Sequence, residues 1–265
     1  MIRSSEYFVF DGINFLEQFG IMNVSISTGL FSEDFLPSRR LIQTEIRGRS
    51  TPLFHRAEPE QRNIDVSFFF YDSWDEEKIR QVARVLYQNR YVPLWFSEDP
   101  ERIYNVIYSG ASPQIIHNGL KQGYVTISFT TDSPYSYSPL RSTEEFEISP
   151  SQQVEVINGG DLPIRFGDDD SCRPQMYFQK INGAGDITIF NEFTNQEVKF
   201  TDIANEEIVW VDNEKKTIIS NLPDIYRYNN HNGEFLEFKR NSNLLTIEGD
   251  CKIKFRWRER FLVHI

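Results

Sequence analysis

Residues 63–137 contain the most regular alternation of hydrophobic and polar positions in the chain. In NIDVSFFFY, residues 63–71, every second position is apolar, a period of two that predicts a β-strand with at least one buried face. The residues expected on that face are Ile64, Val66, Phe68 and Phe70. The segments RIYNVIYSG and YVTISFTTD alternate in the same way and predict two more strands of one sheet.

A helix is predicted directly after the first of these strands, over about residues 73–90. Ser73 and Glu76 have the spacing of a capping box, and acidic residues follow where the positive end of the helix dipole would lie. Apolar residues then recur at helical spacing and predict one inward face. That face would consist of Ile79, Val82, Ala83, Leu86 and Tyr87.

Two segments of the first half are suited to contacts with neighbours. YVPLWF contains Pro93, which has no backbone donor and therefore predicts a sheet edge or a strand end. LFSEDFLPSRR, residues 30–40, has mixed polarity and predicts a long loop or arm. Asp11-Gly12 predicts a tight hairpin near the start, and Gly48 predicts a turn within RGRSTPLFHR. In all, seven or eight strands and one helix are expected before Pro139.

The second half is expected to be a separate, all-β domain. SPYSYSPLRS, residues 133–142, sustains neither periodicity and predicts a domain boundary, so the expected domains are 1–138 and 139–265. After it, short apolar runs alternate with Asn- and Gly-rich turns at intervals typical of a β-sandwich or jelly roll. The predicted strands are MYFQKI, DITIF, EVKFT, EIVWVD, KTIISN, FLEFK and LLTIEG.

Composition narrows the possible functions. The 265 residues include 28 Lys and Arg against 39 Asp and Glu, a net charge of −11 that argues against gripping a phosphate backbone. Two cysteines are too few for a disulfide framework and favour a reducing compartment of synthesis. No apolar run has the length of a signal peptide or a membrane span, so a soluble protein without a classical export signal is expected.

The sequence offers no catalytic, cofactor-binding or metal-binding residue that a motif supports. Phosphate-loop, dinucleotide, HExxH and GxSxG patterns are absent from it. The four histidines, His55, His117, His231 and His264, stand in unrelated contexts, and Cys172 as a nucleophile would need a nearby base. Asp168-Asp169-Asp170 lacks the ligand spacing of a calcium loop and is expected to be a solvated turn. We therefore expect no enzyme and no cofactor.

KIKFRWRER near the carboxyl terminus alternates basic with mainly apolar residues. The basic positions are Lys252, Lys254, Arg256, Arg258 and Arg260. This pattern favours a last sandwich strand with a solvated basic face, and the alternative is a docking surface for an acidic neighbour.

The order of these parts resembles the distal tail proteins (Dit) of long-tailed, siphovirus-type bacteriophages. Four features carry the resemblance, which extends over the whole chain. They are the FDGINF hairpin, RGRSTPLFHR leading into NIDVSFFFY, the single helix with its SPYSYS exit, and NGGDLPIRF opening a sandwich that ends in FRWRE.

The resemblance implies a structural protein of the virion, made in the cytoplasm of the host bacterium. Residues 1–138 would form a β-sandwich-like hub domain with one α-helix, assembling into a homo-oligomeric ring, a hexamer, at the tail tip or baseplate. Residues 139–265 would form a peripheral galectin-like or jelly-roll β-sandwich. The implied partners are the tail tube protein, a tail-associated tip protein and the receptor-binding or adsorption components. DNA would pass through the ring without specific binding, and no membrane would be involved.

Two alternatives from other classes stay open at this point. One is a carbohydrate-binding β-sandwich protein, which glycan binding would favour. The other is a β-sandwich glycoside hydrolase, which needs two carboxylates facing each other across a cleft, and no pair stands out among the 39 acidic residues.

Overall fold

Two units, each with its own hydrophobic core, make up the chain. The computed structural model describes residues 2–24, 33–161 and 171–262. The first unit comprises Met1–Tyr137 with Phe261–Ile265, and the second comprises Ser138–Arg260. Several predictions lie outside the described residues: the end of GIMNVSISTG, the start of the arm at 30–32, the restart at Pro163, the Asp168-Asp169-Asp170 turn, and His264.

Up to Tyr137, the described residues of the first unit form eleven strands and two helices, more than the sequence predicted. The strands are β1 (Phe8–Phe10), β2 (Ile13–Asn14), β3 (Ile21–Asn23), β4 (Arg39–Thr44), β5 (Leu53–Pro59), β6 (Asn63–Phe70), β7 (Val92–Phe96), β8 (Asp99–Tyr108), β9 (Ile115–His117), β10 (Gly123–Thr131) and β11 (Ser136–Tyr137). The helices are α1 (Phe15–Phe19) and α2 (Glu76–Leu86). The main sheet has the order β2-β1-β7-β8-β10-β6-β3, with β9 beside β10 and β11 beside β8.

The hairpin at the start of the chain is confirmed. Phe10 pairs with Ile13 across a two-residue turn in which Asp11 and Gly12 have φ of 50° and 80°. A short helix, α1, follows at once and was not predicted. The Asn14 side chain accepts hydrogen bonds from the first N–H groups of α1, and Gly20 ends it with a φ of 58°. Five residues are too few to show a helical period, so the expectation of a single helix was wrong.

The strand and helix at the centre of the first unit agree in type with the prediction and differ in detail. All four predicted inward residues of β6 are buried. Helix α2 spans residues 76–86 and not 73–90. Its first turn is capped by Asp75, whose Oδ1 accepts a 2.8 Å hydrogen bond from the Lys78 N–H, so the capping role given to Ser73 was wrong.

Strand β7 lies inside the sheet, so the prediction that Pro93 marks a sheet edge was wrong. The alternative prediction, that Pro93 lies near the end of a strand, remains. Its neighbours are β1 and β8, with Leu94 opposite Phe10 and Pro93 opposite Asn105. The N–H and C=O of one strand residue point to the same side, and the Pro93 carbonyl accepts a 2.8 Å bond from the Asp11 N–H. The donor that proline lacks would therefore face the β1–β2 turn, where the ladder ends.

The second unit is a two-sheet β-sandwich. Its strands are β12 (Arg141–Ser142), β13 (Phe146–Ile148), β14 (Ser151–Asn158), β15 (Gln175–Lys180), β16 (Gly185–Asn191), β17 (Gln196–Ile203), β18 (Ile208–Asp212), β19 (Thr217–Ser220), β20 (Asn241–Glu248) and β21 (Cys251–Trp257). A 3₁₀ helix spans Arg227–Asn230. A last short strand, β22 (Arg260–Phe261), follows the sandwich and pairs with β11 in the main sheet of the first unit, to which Phe261 belongs. One sheet has the order β12-β21-β15-β18-β19, with β13 beside β21, and the other has the order β14-β20-β16-β17. No helix in the described part of the chain is long and apolar enough to span a membrane.

The predicted strand FLEFK is an irregular buried segment, which corrects that prediction. Leu236 and Phe238 are fully buried, as a strand would require. Their backbone N–H groups are satisfied without a neighbouring ladder: Leu236 donates to the Asn213 side chain at 2.9 Å, and Phe238 donates to the Cys172 carbonyl at 2.8 Å. A hydrophobic alternation indicates which side chains are buried. It does not show that a partner strand is present, because a side-chain amide can accept the backbone hydrogen bond instead.

Candidate assembly surfaces

The β4–β5 hairpin projects as an arm from the first unit. Among the described residues, its two strands pair only with each other, from Arg39 opposite Pro59 to Thr44 opposite Leu53. Gly48, in the connection between them, has a φ of 84°, as the predicted turn requires. A two-stranded hairpin that joins no larger sheet gains little stability from its own pairing in water, so this arm is suited to gaining contacts from a neighbour.

Large apolar side chains are exposed along the arm. Leu41 is 57% exposed, Leu53 is 47% and Phe54 is 59%. Several such side chains on one projecting element are typical of an interaction surface. The LFSEDFLPSRR prediction placed the arm slightly too early in the chain, since the hairpin begins at Arg39.

Ion pairs hold the arm together near its base. Glu58 accepts from Arg40 at 2.9 Å and lies 2.6 Å from Arg56. The hydrogen bond from Arg40 holds the pKa of the Glu58 carboxyl below its usual value. His55 bonds the Thr44 hydroxyl at 2.8 Å across the two strands, so this histidine has a structural contact in the arm.

A groove beside α2 forms a second apolar surface of the first unit. It encloses about 370 Å³. Its lining includes Phe68, Phe70, Ile79, Ala83, Tyr87, Tyr108, Ile115, Val125 and Ile127. The β9–β10 hairpin adds two further exposed side chains nearby in the sequence, Ile116 at 54% and Leu120 at 73%.

The groove explains why part of the predicted inward face of α2 is not buried. Val82 and Leu86 are buried in the core, and Ile79 packs partly against it. Ala83 and Tyr87 belong to the same predicted stripe but are exposed, Tyr87 by 71%. Helical spacing shows which side is apolar and does not show whether the chain itself covers that side.

The remaining titratable residues considered in the sequence have structural surroundings. His117 is exposed and lies edge-on to Trp74, with ring centroids 5.8 Å apart. His231 packs between Phe200 and Phe235, and burial lowers its pKa. Burial raises the pKa of the Cys172 thiol to about 12, which disfavours the thiolate that a nucleophile needs. In the ranges that the structure describes, no three His, Cys, Asp or Glu side chains are grouped to hold a metal ion.

Sequence comparison identifies the family. Residues 3–133 match the family described as "Phage tail protein N-terminal domain", and residues 135–257 match "Phage tail C-terminal domain". The chain is 32% identical over 264 residues to the SPbeta prophage-derived uncharacterized protein YomH of Bacillus subtilis (strain 168), covering 99% of this chain and 100% of the relative. This chain belongs to the family of bacteriophage tail proteins that these two domains define.

Solved structures support the fold of this phage tail protein. The Dit protein of phage SPP1 (gp 19.1), titled "a Paradigm of Hub Adsorption Apparatus in Gram-positive Infecting Phages", superposes with a TM-score of 0.69 at 17% identity. The superposition covers 97% of this chain and 99% of that one. A chain of the phage p2 baseplate in its activated conformation with Sr gives a TM-score of 0.51 at 11% identity, covering 95% and 97%. At these identities the likeness shows a shared fold and the mainly β architecture predicted from the sequence.

The sequence alone indicates only part of each of these two surfaces. The sequence predicts extended structure in LIQTEI and a turn at Gly48, but it does not show that the strands on either side of the turn pair with each other. The groove beside α2 has a sequence signal, the line of Ile79, Ala83 and Tyr87 four residues apart. That signal is the same for a covered helix face and for an open one.

Proposed function

We propose that this phage tail protein is a distal tail (Dit) protein, a structural component of the phage tail tip that forms a closed homo-oligomeric ring, a hexamer. The ring would join the tail tube to tail-tip and adsorption components and leave a channel for DNA. The first unit would build the ring, and the sandwich of residues 138–260 would lie at its periphery. The protein would be made in the host cytoplasm and act as part of the virion.

The observation that carries this proposal is the β4–β5 arm. Leu53 and Phe54 on this arm are about half exposed to water, and fully burying one such side chain contributes about 1.5–3 kcal/mol. An arm of one copy that packs on the next copy makes a head-to-tail contact, and such contacts form closed rings when the rotation closes. The SPP1 protein with the same fold is described as a hub, which supports this reading.

The charge of the chain is compatible with a DNA channel. A net charge of −11 gives a surface that repels duplex DNA over most of its area. DNA that has to slide through a ring must not be held by many Lys and Arg contacts to phosphate.

Light scattering after size exclusion tests the ring. The full chain of 31.2 kDa should elute as a closed oligomer, and six copies correspond to about 187 kDa, six times the chain mass. The double substitution Leu53→Ser and Phe54→Ser in the arm should shift the mass towards the monomer. A matched control is Ile157→Ser with Tyr226→Ser, which removes two side chains that are 64% and 79% exposed in the second unit. The control should assemble as the unchanged protein does.

Two results would contradict the proposal. One is a full-length chain that stays monomeric at high concentration. The other is an arm variant that is folded and as oligomeric as the control.

A further inference from the structure

The outer face of the larger sandwich sheet carries a continuous row of four side chains on four adjacent strands. Tyr177 of β15 lies opposite Lys254 of β21 on one side and opposite Trp210 of β18 on the other, and Trp210 lies opposite Ile219 of β19. The Tyr177 and Trp210 rings have centroids 5.4 Å apart and planes inclined by 57°. Trp210 is 50% exposed and Ile219 is 60% exposed, so the row presents an aromatic and aliphatic surface to solvent.

Polar side chains flank this row on the same face, two residues away along each strand. Gln175 lies between Arg256 and Asp212, and Gln179 lies between Lys252 and Ile208. A column of basic side chains on β21 therefore stands beside a column that reads Gln, Tyr, Gln on β15. This is the basic face of KIKFRWRER, now with an aromatic pair at its side.

The balance of charge on this face is positive. Lys252 is compensated by Glu147 at 3.8 Å, and Asp212 is bonded by Gln175 at 3.3 Å and lies 3.9 Å from Lys215. Glu206 adds one carboxylate to this face, where it accepts a 2.8 Å hydrogen bond from Gln179. Within the residues that the structure describes, Lys254 and Arg256 have no ion-pair partner. Although the chain as a whole is acidic, two side chains without an ion-pair partner, Lys254 and Arg256, lie beside the aromatic pair on this face.

The size of the patch argues for a small ligand unit. Four strands about 4.8 Å apart and three same-face positions about 6.8 Å apart cover roughly 14 Å by 14 Å. That area, about 200 Å², is a quarter of the roughly 800 Å² that each partner contributes to a stable protein interface. Two sugar rings fit it.

We propose that this face binds an anionic oligosaccharide. One side of a pyranose ring presents C–H groups, which pack on the exposed face of Trp210 and the edge of Tyr177. The carboxylate or phosphate of the sugar would bind Lys254 and Arg256, and a guanidinium can hold such a group with two parallel hydrogen bonds. The Gln175 and Gln179 amide nitrogens already donate to Asp212 and Glu206, so their amide oxygens are the groups that would accept hydrogen bonds from sugar hydroxyl groups. The inference concerns the second unit alone and does not depend on ring formation.

Titration of the full-length protein with defined oligosaccharides tests this site. The probes are oligogalacturonate, with a carboxylate on each ring, and a phosphorylated dextran oligomer of similar length. Uncharged dextran and poly-glutamate serve as comparators. Calorimetry should show saturable binding of at least one charged sugar that weakens with salt, and at least tenfold weaker binding of uncharged dextran.

Substitutions test whether the sugar binds to this face or elsewhere on the surface. Trp210→Ala should weaken binding at least tenfold, and Lys254→Ala with Arg256→Ala should remove its salt dependence. Tyr226→Ala is the control for loss of an exposed aromatic side chain, and Arg240→Ala is the control for loss of an exposed charge; both should bind as the unchanged protein does.

Three results would overturn the proposal. One is the absence of saturable binding to either charged sugar. Another is binding that Trp210→Ala leaves unchanged while its far-ultraviolet spectrum is normal. The third is tighter binding of poly-glutamate than of both sugars, which would assign the face to an acidic protein segment.

Discussion

The guanidinium carbon of Arg102 lies 3.5 Å from the centroid of the Phe261 ring, so a residue near the end of the chain packs on a strand of the first unit. Phe261 is only 8% exposed. The next residue contributes as well, because the Leu262 carbonyl accepts a 3.0 Å hydrogen bond from Nη2 of the buried Arg62. The last residues therefore supply partners to two arginines of the unit with which the chain begins.

Phe261→Ala should lower the free energy of unfolding of the first unit by about 3 kcal/mol. The change removes a buried aromatic ring and the cation that stacks on it. Urea unfolding followed by fluorescence measures the effect. Phe193→Ala is a matched control, since Lys239 stacks on a ring that is 50% exposed, and its effect should be below about 1 kcal/mol. Equal effects of the two substitutions would argue against this packing.

Glu207→Gln should destabilise the sandwich by about 3 kcal/mol at pH 7, because it leaves the buried Arg227 without its counter-ion. Burial tends to raise the pKa of Glu207. The hydrogen bonds from Arg227, Ser220 and the Ala204 N–H outweigh burial, and the net pKa is below the usual 4.5.

The sign of the pH dependence follows from this lowered pKa. The pair contributes fully above the carboxyl's ordinary pKa of about 4.5, and its contribution is lost as the pH falls through the folded-state value. The stability difference between the unchanged protein and Glu207→Gln should therefore shrink below about pH 4.5. A difference that stays constant down to pH 3 would contradict the assignment. Glu58→Gln, in the exposed arm, should cause a much smaller change.

Gly123→Ala should disrupt the β9–β10 hairpin beside the apolar groove. A Cβ at this position would lie 2.1 Å from the Ile116 carbonyl oxygen and 2.8 Å from Cα of His117, and neither backbone atom can move without breaking the pairing. We expect a loss of about 1–3 kcal/mol and faster amide exchange in residues 115–125. Gly119→Ala is the control, since nothing lies within 4 Å of its Cβ position. Similar exchange in both variants would refute the prediction.

These examples show what the sequence alone could and could not indicate. The inward residues of β6 and β21 could be predicted because a strand buries every second side chain whatever its neighbours are. The position of Pro93 could not be resolved, since a missing donor is tolerated both at an edge and at the end of a ladder. The sequence predicted a helix cap at Ser73, and the structure has the cap at Asp75. The two could not be distinguished because both residue types cap helices and both are followed by glutamates.

The candidate surfaces depend on contacts that a single sequence does not contain. Tyr177, Trp210 and Lys254 are 33 or more residues apart along the chain and meet only through the order of β21, β15 and β18 in the sheet. The basic alternation of KIKFRWRER was visible, but its aromatic neighbours were not. For the arm, the turn at Gly48 could be predicted, and only the pairing of Arg39 with Pro59 showed that the strands around it form a separate hairpin.

The full-length protein should bind duplex DNA weakly. A net charge of −11 opposes the release of counter-ions that drives binding to phosphate backbones. Fluorescence anisotropy with a 30-base-pair duplex should give no saturation at micromolar protein in about 0.15 M salt. Tight binding that falls steeply with salt would count decisively against a channel through which DNA slides.

The two units should differ in oligomeric state when they are expressed as separate fragments. Their buried side chains form two clusters that share no residue, so each has a core of its own. Residues 1–138 contain the arm, and we expect them to assemble into the same ring as the full chain. Residues 141–265 and the shorter fragment 138–260, which ends where the second unit ends, should be monomeric.

Phe261 and Leu262 add a condition to this last prediction. A fragment of residues 1–138 lacks Phe261 and Leu262, and with them one contact each of Arg102 and Arg62, so it should assemble only at lower temperature or higher concentration than the full chain. Joining residues 259–265 to it through a flexible linker of about ten residues should restore assembly, because the linked segment is present at a high effective concentration. Phe261→Ala within that segment should abolish the rescue, and light scattering distinguishes these cases. A monomeric linked fragment beside an oligomeric fragment of residues 138–260 would assign the ring to the sandwich and not to the arm-bearing unit.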